Sequence, residues 1–335
     1  MDSRHYVYDL TGKTIWVTGH RGLVGSAVLR RLRSENCILL TAGRAEIDLR
    51  RPNEVEAFLE KHRPHAIVNA AGTVGGILAN TRFPVDFLYD NLMIQANILR
   101  SAHRFGVEKV LTLGSSCIYP TTAARPIAEA ALMTGPLEPT NEWYAMAKIA
   151  GLKLAQAYRQ QYGCDFIAAM PTNIYGPGDN FEPDSAHVIA ALIRKADHAV
   201  ATGERTMTLW GSGEPRREFL YVDDCADALV FLLKRYSHSA PINVGSGQEL
   251  RIVDIARIVA RAAGFTGEIV HDLTKPDGVY DKMLDSARLR SMGWRPTTPI
   301  EAGVEAAIRS WRENRGFADA AAARIDQIDK PEARN

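Results

Sequence analysis

The chain has 335 residues, enough for about two folding units or one large α/β body. Its 40 basic and 39 acidic side chains leave a net charge of +1, which excludes a field broad enough to gather nucleic acid or an anionic membrane surface. With 46% apolar and 24% charged residues the composition is that of a globular protein, which excludes a disordered or fibrous chain.

No apolar run is longer than that from Ala228 to Leu233, which falls far short of the ~18 residues that a membrane span needs. The opening segment, MDSRHYVYDLTGK, lacks the apolar core of a signal peptide. Cys37, Cys117, Cys164 and Cys225 form no Cys-x-x-Cys pair and are too few for a disulfide scaffold. The expectation is a soluble protein of the reducing cytoplasm with no metal site.

In chain order, Thr14 to Thr18 is a β-branched apolar run that breaks into Gly19, and Leu23 to Leu32 repeats its apolar residues at helical spacing. Cys37 to Thr41 reads as a second strand. Pro52 stands where a helix can start, with Val55, Phe58 and Leu59 on one face. Ala66 to Asn69 is a third strand, Pro84 to Phe105 a long helix and Val107 to Leu113 a fourth strand. Strands that are apolar throughout, alternating with helices, predict a parallel sheet covered on both faces, a doubly wound α/β fold. An irregular stretch from Tyr119 to Asn141 precedes a helix over about Glu142 to Tyr162 and a strand over Phe166 to Met170. Beyond Gly176 the alternation breaks into shorter pieces: a helix near Ala186 to Ala196, a strand at Met207 to Trp210 and a helix from Asp224. The tail after Arg312 is alanine-rich and charged and reads as a frayed helix end.

The segment Thr18-Gly19-His20-Arg21-Gly22-Leu23-Val24-Gly25 places three glycines between a strand and a helix, where backbone amides can approach a pyrophosphate. An ordinary β–α turn has the same look; its place at the opening of the fold favours a dinucleotide. At the end of the second strand, where a carboxylate would bind ribose hydroxyls, stands Thr41-Ala42-Gly43-Arg44. Arg44 and Arg21 suit a 2′-phosphate, so NADP(H) is expected, although solvated surface arginines are common. Asp48 is either a contact to the adenine or a helix-entry residue.

Tyr144 and Lys148 lie one turn apart on one helix face. A lysine ammonium near a phenol favours the phenolate, so the lysine is expected to bring the tyrosine toward a useful acid–base range. Gly114-Ser115-Ser116 closes the fourth strand, at the edge where open α/β sheets present their ligand crevice. Serine, tyrosine and lysine around a nicotinamide form a carbonyl-reducing site.

On the glycine loop, Ser115 and the Tyr144/Lys148 pair, the chain resembles the extended short-chain dehydrogenase/reductases. The resemblance implies a Rossmann fold with a smaller C-terminal α/β substrate lobe. In that family the tyrosine exchanges a proton at the carbonyl oxygen, the lysine also holds the nicotinamide ribose, and the serine holds the substrate oxygen. It places cofactor contacts on Gly19, His20, Arg21, Gly22, Leu23, Gly25, Arg44, Asp48, Lys148, Pro171, Asn173 and His187.

Cys117, two residues after Ser115, should sit beside the same carbonyl and is a plausible carbon base. His187 opens a later helix. Taken singly, a cysteine is usually a small buried hydrophobe and a histidine at a helix start a cap. Together GSSCIYP, NEWYAMAKIAGLK, MPTNIYGPGDNF, HVI, LWGSGEPRREFLYVDD and KPDG resemble the branch of the family that epimerises and reduces GDP-4-keto-6-deoxy sugars with NADPH. The likeness runs from about Lys13 to Trp311 and implies Cys117 as base and His187 as its paired acid. It also implies Lys195, Trp210, Arg217, Asp277 and Lys282 as contacts to a GDP-sugar, and a homodimer through the Pro84–Phe105 and Glu142–Tyr162 helices.

Two departures stand out. Arg194-Lys195 replaces an arginine pair, and Asp184-Ser185-Ala186 replaces the asparagine-serine that precedes the histidine in that branch. The expected plan is residues 1–176 as the NADP(H)-binding body, with segments crossing back from the C-terminal half, 177–315 as the substrate lobe and 316–335 as a tail. The competing readings are a reductase without epimerase activity, a relative acting on another GDP-sugar, an NAD-dependent UDP-sugar epimerase or dehydratase, and a non-catalytic NADP(H) sensor.

Overall fold

The computed structural model describes residues 7–183, 185–275, 277 and 281–328, with side chains as far as Asn314. Asp184, Pro276, Gly278 and the last seven residues of the tail, named in the motifs above, lie outside the described residues.

The first half alternates strand and helix: β1 (Thr14–Thr18), α1 (Leu23–Leu32), β2 (Ile38–Leu40), α2 (Pro52–His62), β3 (Ala66–Asn69), α3 (Ile77–Arg82), α4 (Pro84–Arg104), β4 (Lys109–Leu113), α5 (Glu142–Tyr162) and β5 (Asp165–Pro171). The second half runs β6 (Asn173–Tyr175), α6 (Val188–Thr202), β7 (Thr206–Trp210), β8 (Arg216–Tyr221), α7 (Val222–Arg235) and β9 (Ile242–Val244). It closes with β10 (Glu249–Arg251), α8 (Ile252–Ala263), β11 (Glu268–Asp272), β12 (Asp281–Lys282), α9 (Ala287–Ser291) and α10 (Ile300–Ile328).

Six strands form a wholly parallel sheet in the order β2-β1-β3-β4-β5-β9, with Ile15 opposite Ala66, Ile67 opposite Val110 and Met170 opposite Asn243. The central strands are apolar at successive positions because both faces are covered. Ile15, Val17, Val68, Leu111 and Ile167 pack beneath α1 and α7 on one side, while Trp16, Ile67, Val110 and Phe166 pack beneath α2, α4 and α5 on the other. The chain leaves β1 toward β2 on one side and returns to β3 on the other, so a crevice opens beyond the carboxyl ends of β1 and β3.

The strand and helix positions of the first half follow the sequence pattern within a few residues. Helix α3 does not; it is a six-residue helix between a glycine-rich run and Pro84. The C-terminal half builds a second sheet, β10-β8-β12 with β6 alongside β8, a separate β7–β11 pair and its own core from α6, α8 and α10. Rather than fraying after Arg312, helix α10 continues to Ile328. No described helix is long and apolar enough to cross a membrane.

The turn from β1 into α1 has no space for a side chain at Gly19 or Gly25. Gly19 adopts φ +63°, and a Cβ on Gly25 would stand 2.2 Å from the Gly19 carbonyl oxygen. That neighbour is backbone, so relief requires the turn itself to move. Gly25→Ala is therefore expected to destabilise the protein by ~1–3 kcal/mol, read as a lowered midpoint in thermal denaturation; an unchanged midpoint would show that the turn yields freely.

Candidate active site

The carboxyl edge of the parallel sheet gathers the candidate residues. Gly19, His20, Arg21 and Gly22 form the turn, Leu23 is the first residue of α1, and the Gly22 amide donates to the Gly19 carbonyl at 2.9 Å. No side chain caps α1 and its first turn holds no acid, so the positive end of the helix faces the crevice uncompensated. The Arg21 guanidinium lies against Gly43, within 3.3 Å of where a Cβ would stand there, which brings Arg21 beside the loop that carries exposed Arg44. The Gly43 amide is taken by the Glu46 carboxylate at 3.0 Å. Asp48 is gripped by Arg50, whose Nε and Nη2 donate to its two oxygens at 2.9 and 2.7 Å. Those bonds hold the Asp48 carboxyl at about 2, and Arg50 reaches on to Asp90.

At the end of β4, Gly114 passes so near the Met170 sulfur that any side chain there would collide. Ser115 then caps a single 3₁₀ turn, its hydroxyl accepting from the Cys117 amide at 3.2 Å. The same hydroxyl lies close enough to the Tyr144 phenol to favour its ionised form, and Cys117 lies close enough to act electrostatically on both Tyr144 and Arg217. Ser115, Cys117 and Tyr144 thus meet at one locus.

Lys148 is buried, donates from Nζ to the Leu113 carbonyl at 3.1 Å, and lies 5.6 Å from the centre of the Tyr144 ring. Burial pulls its ammonium down to about 8. The effect on the phenol is the reverse of the expected one. Burial, reinforced by Cys117, pushes Tyr144 well above the ordinary phenol range, against the smaller pull of the Ser115 hydroxyl. The lysine's charge is directed at a backbone carbonyl, and a desolvated phenolate is the costlier species. Tyr144 is accordingly a proton donor in the free protein.

Pro171 ends β5 and Asn173 opens β6, its side-chain Nδ2 donating to the Glu218 carbonyl at 2.8 Å. His187 stands at the start of α6, where its ring caps no amide. The imidazole touches solvent yet has protein mass around it, as on the wall of a cleft, and that desolvation lowers its pKa. The segment before it is pinned across the crevice, because the Gly76 amide donates to the Ser185 carbonyl at 3.0 Å. The anchoring loop, residues 72–76 after β3, was not singled out above. Thr73 in that loop donates to Asp90 and accepts at its carbonyl from Asn91, and its signal was a run of glycines directly after a parallel strand.

Arg217 lies in β8 between Leu250 of β10 and Lys282 of β12, half-buried, with Asp281, Glu249 and Cys117 offsetting the cost of that burial. Its neighbour Glu218 is fully buried and went unremarked in the sequence, although a glutamate inside an apolar strand is a signal of a bonded group. The Glu218 carboxylate accepts from the Gly247 amide at 2.7 Å and the Leu284 amide at 3.0 Å. Trp210 is 46% exposed at the end of β7, with the Lys195 ammonium 4.9 Å and the Lys275 ammonium 5.3 Å from its ring centre. Lys195 also donates to the Thr208 carbonyl at 2.9 Å. Both Asp277 oxygens are occupied by Ser212, at its amide (2.7 Å) and its hydroxyl (2.8 Å).

The profile of the NAD dependent epimerase/dehydratase family matches residues 15–245, from β1 to just beyond β9. The chain belongs to that family. Among its relatives, the GDP-L-fucose synthase of Sinorhizobium fredii is 58% identical over 92% of this chain and 98% of its own. The GDP-L-colitose synthase of Yersinia pseudotuberculosis is 37% identical over 87% and 95%. The crystal structure of a GDP-L-fucose synthetase from Naegleria fowleri bound to NADP superposes with a TM-score of 0.86 at 31% identity, covering 93% of this chain and 98% of that one.

A lysine whose pKa is lower folded than unfolded makes stability rise with pH, because the unfolded chain holds the proton longer. For Lys148 the window runs from about 8 to its ordinary 10.5. Unfolding free energy should therefore climb across that window by ~1–3 kcal/mol less in Lys148→Met than in the parent chain, measured by denaturant titration. Equal slopes would place the ammonium in a water-like setting.

Proposed function

We propose that this chain converts GDP-4-keto-6-deoxy-D-mannose to GDP-L-fucose, inverting the sugar at C3 and C5 and reducing its C4 ketone with NADPH. The observation that carries the reading is the meeting of Ser115, Cys117 and Tyr144 at one locus beside Arg217. The resemblance to GDP-L-fucose synthases over nearly the whole chain supports it, and the lower identity to a GDP-L-colitose synthase favours the fucose product.

The residues present fit the coenzyme. The turn at Gly19 and Gly25 closes so tightly on its own backbone and on Ala70 that neither position admits a Cβ, the α1 N-terminus is free of acids, and Arg21 meets the Arg44 loop that the reading assigns to a 2′-phosphate. To the nicotinamide end we assign Lys148 of α5, Pro171 at the end of β5, Asn173 at the start of β6 and His187 at the start of α6. NADPH, when bound, supplies hydride to C4.

The protein's own groups do the rest. The hydrogens at C3 and C5 are both α to the ketone, so removing either places charge on the C4 oxygen, where Ser115 and Tyr144 donate hydrogen bonds. The Cys117 thiolate takes a proton from one face of the sugar, and the His187 imidazolium returns one from the other. The lowered His187 pKa makes its imidazolium a stronger acid, though a scarcer one at neutral pH. After inversion, Tyr144 delivers its proton to the C4 oxygen; a phenol held protonated by burial suits that role. A reductase alone would need neither the thiol nor the imidazole.

The substrate contacts we assign are Arg217 and Lys282 on adjacent strands, Lys195 with Trp210, and Asp277 through the Ser212 turn it holds. Residues 1–176 with the crossing segments α7, β9 and α9 form the coenzyme body in this reading, the rest of 177–315 the substrate lobe, and 316–335 a tail, in a cytoplasmic homodimer. Val85, Tyr89 and Leu92 on α4 and Trp143 and Met146 on α5 are exposed at helical spacing, which supports self-association through these helices.

Incubated with the keto sugar in deuterated water, the protein should yield GDP-L-fucose labelled at C3 and C5, faster with NADPH than with NADH. Cys117→Ser should slow the wash-in of deuterium by at least ~100-fold. Undiminished labelling would remove Cys117 as the base, and a GDP-rhamnose product would remove epimerisation. In sedimentation, Val85→Asp should convert a dimer to monomer; a monomeric parent chain would refute the α4–α5 interface.

A further inference from the structure

The grip on Trp210 contains one cation that the sequence reading left out. Strands β7 and β11 are parallel and end together, with Trp210 opposite Asp272. A short turn after Asp272 brings Lys275 back over that end of the pair. The turn is fastened twice: the Lys275 amide donates to the Asp272 carbonyl at 3.2 Å, and the Asp272 carboxylate accepts from the amide and hydroxyl of Thr274 at 3.1 and 2.6 Å. The ammonium groups of Lys195, from α6, and Lys275 converge on one exposed indole from two separate elements.

This arrangement holds more positive charge than its surroundings offset. Lys195 and Lys275 both act on Asp272, a single carboxylate already bonded to Thr274, and Arg194 adds its charge beside Lys195. Like charges brought to one ring repel, and long lysines on an open surface ordinarily keep their heads apart in water. Lys195 is also a single point charge with one donor spent on Thr208, standing where an arginine would make a forked contact with phosphate. Two ammonium groups around one anion can do the work of one guanidinium fork.

We infer that Lys275 is a second ammonium ligand for the nucleoside diphosphate of the substrate, acting with Lys195 across the Trp210 ring. This rests on the GDP-sugar reading above and extends it to a residue outside the assigned contacts. Binding the diphosphate neutralises the pair and leaves the indole as a wall against the remaining nucleotide.

Calorimetric titration with GDP, at low and at physiological salt, tests the assignment on the full-length protein. Lys275→Met should weaken GDP binding roughly ten-fold and flatten its salt dependence, since one screened charge contact is gone. Lys275→Arg should restore both, and NADPH affinity, which reports an intact fold, should be the same in all three proteins. A GDP affinity within two-fold of the parent in Lys275→Met, or an unchanged salt dependence, would overturn the role of Lys275. No GDP binding by the parent chain at all would instead overturn the GDP-sugar reading on which it rests.

Discussion

A buried hydrogen bond from the Lys148 ammonium to the Leu113 carbonyl ties helix α5 to the end of strand β4. Ser115 and Cys117 follow Leu113 on the strand side, and Tyr144 precedes Lys148 by one turn on the helix side. One contact therefore sets two reactive segments in a common frame, on regular elements rather than on flexible loops. The same burial that makes the contact possible determines the protonation of the site. It weakens the hold of Lys148 on its proton and strengthens that of Tyr144, so the phenol stays charged with a proton until an oxyanion forms beside it.

How much of this was legible in the sequence depended on range. Strand β1, helix α1 and helix α5 declare themselves because their apolar periodicity is unbroken over five to twenty-one residues. The second sheet is hidden for the opposite reason. Strand β12 is two residues long, and β6 finds its partner in β8, with Asn173 opposite Phe219. No local pattern can announce such pairings. Candidate site residues divide the same way. The approach of Ser115, Cys117 and Tyr144 could be inferred because each sits at a strand end or on one helix face. That Asp48 is clasped by Arg50, or that Asp277 serves Ser212 65 residues away, could not. The direction of the Tyr144 shift was misjudged because charge spacing is readable in a sequence and desolvation is not.

Glu218 shows how the two halves of the site are held in register. Its backbone carbonyl receives Thr172 and Asn173 from the coenzyme side, while its carboxylate receives the amides of Gly247 and Leu284. Leu284 follows the strand that bears Lys282, and Arg217 is the preceding residue in β8. Burial pushes the Glu218 carboxyl above the ordinary carboxylate range in spite of these two amide donors, so joining both sets of contacts carries an electrostatic cost that the bonds offset only in part.

The sixth strand of the parallel sheet has a consequence for synthesis. Strand β9 pairs with β5 through residues 242–244, and the Thr172 amide bonds to the Val244 carbonyl at 3.0 Å. As the chain leaves the ribosome, the edge of β5 stays bare until some seventy further residues have emerged. An uncovered parallel edge is an invitation to mispairing with other nascent chains. The interleaving that unites the two halves of the crevice thus also delays the moment at which either half can be sealed.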